Sequence, residues 1–133
     1  MLKNQKFKVV LMTILVLLTI FSLTGCNKTE TISDLPQKNM EVIVYDETGK
    51  VVYEKTTTVN ANKLLDALEE IEDLIIVSED SVYGAFITSI NDVKQGNNYF
   101  WNYYVNGEYA TVGVSAYEVQ DEDIIEFRLE KFE

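Results

Sequence analysis

The chain has 133 residues and a formal net charge of −11, with a single cysteine, a single proline and no histidine. The missing imidazole excludes a Ser-His-Asp triad, a Cys-His pair and every histidine metal site. The acidic balance argues against nucleic-acid partners and against electrostatic adhesion to anionic lipid.

The N-terminus has the three parts of a secretory signal. Lys3, Lys6 and Lys8 form a positive region, and Val9 to Phe21 is an apolar run interrupted only by Thr13 and Thr19. Small residues then lead to Cys26. The apolar run falls short of the about 20 residues that a spanning helix needs. Leu23-Thr24-Gly25-Cys26 resembles the bacterial lipobox, whose cysteine thiol receives a diacylglyceryl group and whose signal is cut just before it. The resemblance implies a signal peptide over 1–25, lipidation at Cys26, and an address on the extracytoplasmic face of the cell membrane, as in a Gram-positive bacterium. Cleavage there would leave eight basic against twenty-two acidic residues, a net charge of −14. Residues 26–39 are mostly polar, contain Pro36 and read as a flexible tether. The remaining 40–133 are enough for one small core, which must hold without an internal disulfide.

Met40 to Glu47 alternates, Thr48-Gly49 offers a turn, and Val51 to Thr58 is β-branched, so the pair reads as a hairpin. One helix follows. Asn60 is its expected N-cap, and Leu64, Leu65, Leu68 and Ile71 form an apolar stripe. Asp66, Glu69, Glu70, Glu72 and Asp73 mostly lie opposite. A solvated face is the favoured reading of that acidic set, since the loop pattern of calcium sites is missing.

Leu74 to Val77 is a short strand candidate, and Tyr83 to Ile90 another, entered through Gly84. Asn91 to Asn98 is a polar loop. Tyr99 to Val105 is an aromatic strand, and Asn106-Gly107 is the strongest turn signal in the chain. After the small-residue stretch Val112 to Tyr117, Ile124 to Phe132 alternates as a closing strand. The order predicts an α+β fold: a small β-grasp-like domain with one helix packed on a mixed, mainly antiparallel sheet.

Four segments in order carry a family resemblance: Ser81 to Ile90, Trp101 to Gly107, Val112 to Tyr117 and Asp121 to Leu129. Together they resemble the C-terminal β-domain of transcobalamin and intrinsic factor, and the bacterial domains of undefined function that share it. That resemblance implies a compact β-grasp-like domain. In the vertebrate carriers this domain closes over a corrinoid held against a larger helical domain, which this chain is expected to lack. The family often has glycine at the turn before the last strand, where this chain has Glu122.

The candidate ligand-binding residues are Tyr83, Gly84, Phe86, Trp101, Tyr103, Tyr104, Asn106, Val112 and Gly113. Aromatic rings on a strand present flat apolar surface to a ligand, or serve as core packing. Gly84 and Gly113 permit close backbone approach, to a ligand or in a strand bend. Asp121 and Asp123 form a carboxylate pair, but no nucleophile–base constellation accompanies them. The expected function is a non-enzymatic, membrane-anchored module that binds a small ligand. The resemblance implies a corrinoid as that ligand; delivery to a membrane transporter is the expected role, and neither a metal site nor a resident cofactor is expected. A protein-interaction or accessory domain of a cell-surface complex is the alternative.

Overall fold

The computed structural model describes residues 36–132. The signal peptide at 1–25, Cys26 and most of the tether lie outside the described residues. Among the described residues, no helix is long and apolar enough to cross a membrane.

The first hairpin forms as its alternation predicts: β1 is Lys38–Tyr45 and β2 is Val51–Val59, paired antiparallel. Asp46 closes the turn, its carboxylate accepting from the Thr48 hydroxyl and from the Thr48 and Lys50 N–H groups. The Thr48 and Lys50 bonds hold its carboxyl below the usual range. Met40, Val42 and Val44 point inward and are buried.

The helix α1, Leu64–Glu69, has only six residues and starts later than expected. Asn60 does not cap it. Lys63 holds the cap position without a side-chain bond. The first free amides are satisfied instead by a distant loop: Leu64 N–H donates to Tyr117 O and Leu65 N–H to Val114 O, each at 3.0 Å. Glu70 turns back to accept from Asn60 N–H and Ala61 N–H. Asp73 pairs with Lys55, which holds its carboxyl low. Two members of the acidic set therefore tie segments together instead of facing only water.

The strands that follow are β3 (Ile76–Glu79), β4 (Phe86–Ile90), β5 (Val93–Lys94), β6 (Tyr99–Val105), β7 (Glu108–Tyr109) and β8 (Asp123–Lys131). They form two sheets, one of five strands ordered β2-β1-β8-β6-β7 and one of three ordered β3-β4-β5. In the larger sheet β8 lies between β1, to which it is parallel, and β6, to which it is antiparallel.

This corrects the expected fold class. The domain is mostly strand, with two sheets and one short helix, and is sandwich-like; it is not a single sheet with a helix packed on it. The physical reason lies in residues 74–94. Asn91 and Asp92 both take left-handed backbone, at φ 45° and 66°, so β4 turns back at once into β5. β3 then pairs with β4 rather than extending the larger sheet. The inner face of β1, β6 and β8 is covered jointly by Leu64 and Leu68 of α1 and by Ile87 and Ile90 of β4, in one core.

Candidate functional site

β6 brings the aromatic residues to the junction of the two sheets. Trp101 is buried and its indole Nε1 donates to Val93 O at 3.0 Å, tying the strand to β5. Tyr103 points to the same side, its ring 5.9 Å from Phe127 and its hydroxyl donating to Val112 O. Burial pushes its hydroxyl up to about 12.

Beside these residues lies an open cleft of about 290 Å³. It is lined by Tyr83, Gly84, Phe86, Trp101, Tyr103, Val112 and Gly113, seven of the nine candidate binding residues, together with Tyr109 to Thr111. A second lobe of about 790 Å³ continues past Phe86, Trp101, Asn102 and Tyr109 to Phe100 and Phe132, with Glu79, Glu130 and Lys131 at its margin. Phe100 and Phe132 meet edge to face at 6.2 Å and both remain exposed. Such a mouth offers apolar surface with few charges, the usual make-up of a small-molecule site.

Two candidates lie elsewhere. Tyr104 faces the opposite side of β6 from Trp101 and Tyr103, as strand periodicity requires. Its hydroxyl donates to Glu130 and its ring lies 4.2 Å from the Arg128 guanidinium carbon. Arg128 in turn pairs with Glu126 of its own strand. Asn106 sits in the β6–β7 turn at φ 52°, with Gly107 at 83°.

The glycines also have a specific role. Gly113 N–H donates to Tyr83 O and Val114 N–H to Ala85 O, so residues 113–114 run along 83–85. A Cβ on Gly113 would lie 2.5 Å from Ala85 O. The close approach that the glycines permit is therefore between two segments of the cleft wall.

Asp123 is the functional-looking residue whose role sequence reading missed. It is buried, and its carboxylate accepts from Asn106 Nδ2, the Tyr117 hydroxyl and Gln120 N–H at 2.8–2.9 Å. Burial and the adjacent carboxylate both push the Tyr117 hydroxyl upward. Asp121 accepts from Asn39 N–H at 2.8 Å. The two carboxylates thus serve as local anchors for turns and loops. Phe100, Tyr109 and Phe132 were also missed as site residues; the only sequence signal for them was their aromatic character on or beside strands.

Fold and cleft together define a small two-sheet β domain with an open aromatic groove at the junction of its sheets. The chain belongs to the DUF4430 family, a domain of unknown function, matched over residues 61–131. Among solved structures it is similar to a presumed metal-binding protein from Ruminococcus gnavus, at a TM-score of 0.61 and 22% identity, covering 72% of this chain and 99% of that one. It is also similar to haptocorrin in complex with Cbi, at a TM-score of 0.59 and 19% identity, covering 74% of this chain and 26% of that one. Haptocorrin is transcobalamin-like, so the resemblance read from the sequence holds at the level of fold. No curated protein matches the sequence. Among the described residues, no group of three or more carboxylate or thiol side chains is gathered as a metal site.

Proposed function

We propose that this chain is a non-catalytic binding module that takes a small ligand into the groove beside β6. The observation that carries this reading is the convergence of Tyr83, Phe86, Trp101, Tyr103 and Val112 on one cleft, from three separated segments. The favoured ligand class is a corrinoid, passed on to a membrane transporter. Haptocorrin, solved with Cbi, shares the fold, which supports this choice. This chain matches only 26% of haptocorrin, so the β domain would hold its ligand on one side only.

The module would work at the extracytoplasmic face of the membrane, anchored by a diacylglyceryl thioether on Cys26. Two acyl chains suffice for stable anchoring without basic residues, since each buried methylene contributes about 0.8 kcal/mol.

Trp101 is the only tryptophan in the chain, so its fluorescence reports on the groove alone. The full chain in detergent, titrated with dicyanocobinamide, should show saturable quenching after correction for absorbance, matched by equilibrium dialysis. No binding by dialysis at high micromolar concentration rejects the corrinoid. Metabolic labelling with palmitate tests the anchor: label should be lost in Cys26→Ala, and an unlabelled parent protein rejects lipidation.

A further inference from the structure

The hydrogen-bond ladder fixes where each backbone group of β6 points. Asn106 N–H donates to Ile124 O at 2.9 Å, and Phe132 N–H donates to Asn98 O at 2.7 Å. With the register running from Tyr99↔Lys131 to Val105↔Ile125, residues 100, 102 and 104 exchange their bonds with β8. Bonded and non-bonded pairs alternate in an antiparallel ladder. Tyr99, Trp101, Tyr103 and Val105 therefore aim their N–H and C=O groups at the other edge of the strand.

That edge is closed at both ends. Tyr99 exchanges two bonds of 2.9 Å with Gly96. Val105 pairs with Glu108, and Tyr103 O accepts from Ala110 N–H at 3.0 Å. Between them, Trp101 N–H, Trp101 C=O and Tyr103 N–H have no hydrogen-bond partner among the described residues. Buried peptide groups almost always find one, and Trp101 is only 7% exposed. The gap spans about 7 Å of strand. It is not a general sheet edge, because Trp101 and Asn102 line both lobes of the groove.

We infer that this notch reads a carboxamide of the bound ligand, taken in the manner of an added strand. An amide N–H donates to Trp101 O, and amide carbonyls accept from Trp101 N–H and Tyr103 N–H. A carboxylate in the same place has no proton for Trp101 O and enters a chain of net charge −11. Glu130, one of the two acids that line the second lobe, is already held by Asn102 Nδ2 and the Tyr104 hydroxyl, which favours neutral hydrogen bonding at the notch. The inference rests on the ligand-binding reading and names the group which that site recognises. Two sources supply such a group: an amide-fringed corrinoid and an extended peptide.

Amide hydrogen exchange, read by NMR on the ¹⁵N-labelled full chain in detergent, separates them. The probes are dicyanocobinamide, cobyrinic acid as its all-carboxylate counterpart, and the blocked tripeptide acetyl-Val-Thr-Val-amide. The source that fits should slow exchange at Trp101 and Tyr103 about tenfold while leaving Tyr99 unchanged, and cobyrinic acid should bind about tenfold more weakly than dicyanocobinamide if the corrinoid is that source. Binding of dicyanocobinamide or the tripeptide that shifts Trp101 resonances without slowing these two amides overturns the notch and leaves the ligand-binding reading standing. Equal binding of cobyrinic acid and dicyanocobinamide does the same. Failure of both amide probes to bind overturns notch and reading together.

Discussion

Replacing Asp123 with alanine tests whether one buried carboxylate anchors both the β6–β7 turn and the loop that leads into β8. Asp123 is 3% exposed and accepts three hydrogen bonds, from a turn amide (Asn106), a loop hydroxyl (Tyr117) and a backbone N–H (Gln120). Hydrogen bonds to a charged acceptor contribute about 1.5–3 kcal/mol each. The three share one acceptor and are not additive. Alanine leaves three donors facing a vacated space, so the expected loss is about 3–5 kcal/mol, out of the roughly 5–15 kcal/mol that holds an ordinary domain together. Asp123→Asn keeps the volume but turns an NH₂ toward existing donors, and should cost about 2–3 kcal/mol. Tyr117→Phe removes one donor and leaves the carboxylate with two, at about 1.5 kcal/mol, the low end of that range. Urea denaturation at neutral pH, followed by Trp101 fluorescence and circular dichroism, gives all three from midpoints at constant slope. A loss below about 1 kcal/mol for Asp123→Ala would refute the idea that these bonds are formed and shielded.

Gly113→Ala places a methyl group against the Gly84–Ala85 backbone, at 2.5 Å from Ala85 O, and should cost about 1–3 kcal/mol while spreading the groove wall. An unchanged denaturation midpoint would show that the two segments are not in contact. Glu122 holds a left-handed conformation at φ 67°, so Glu122→Gly should stabilise the protein by about 1 kcal/mol; a lowered midpoint would mean that the glutamate side chain matters more than its backbone. Burial raises the hydroxyls of Tyr53 and Tyr103 from 10.0 to about 12, with Asp73 adding to the effect at Tyr53. A proton held more tightly in the folded state stabilises it fully below the unfolded value. That contribution is therefore complete below pH 10.0 and lost as pH rises toward about 12. Alkaline titration by phenolate absorbance and circular dichroism should show these groups ionising together with unfolding, and their titration near pH 10.0 in still-folded protein would contradict it.

Local patterns were legible where one segment carried its own information. The aromatic run read as Tyr99 to Val105 forms β6 over those residues, and Asn106-Gly107 makes its two-residue turn. The alternation of Ile124 to Phe132 puts Ile125, Phe127 and Leu129 in the core. The fold class was not legible, because it depends on which strands pair. Asn91-Asp92 and Asn97-Asn98 make left-handed turns without the glycine that marks Asn106-Gly107, so β5, and with it the pairing of the small sheet, stayed hidden in a polar loop. The helix was over-read because its N-terminal amides are capped by carbonyls from residues 114 and 117, which no local window contains. Glu122, which stands where the family often has glycine, keeps the left-handed backbone that glycine would take. The groove was legible as chemistry and not as geometry. Spacing alone could not tell that Gly84 and Gly113 face each other.

The placement of β8 has a kinetic consequence. The hairpins β1–β2 and β6–β7 are local, but neither touches the other within the larger sheet until β8 enters between them. Its parallel partner β1 lies over eighty residues earlier, as in the pairing of Met40 with Asp123. Loop closure of that span precedes any gain from the pairing, which makes assembly slow and concentrates it in one late step. Until then the chain carries two half-sheets, each with an apolar strand edge open to other chains. The surplus of negative charge then protects the unfinished chain, by keeping copies apart while they wait for their central strand.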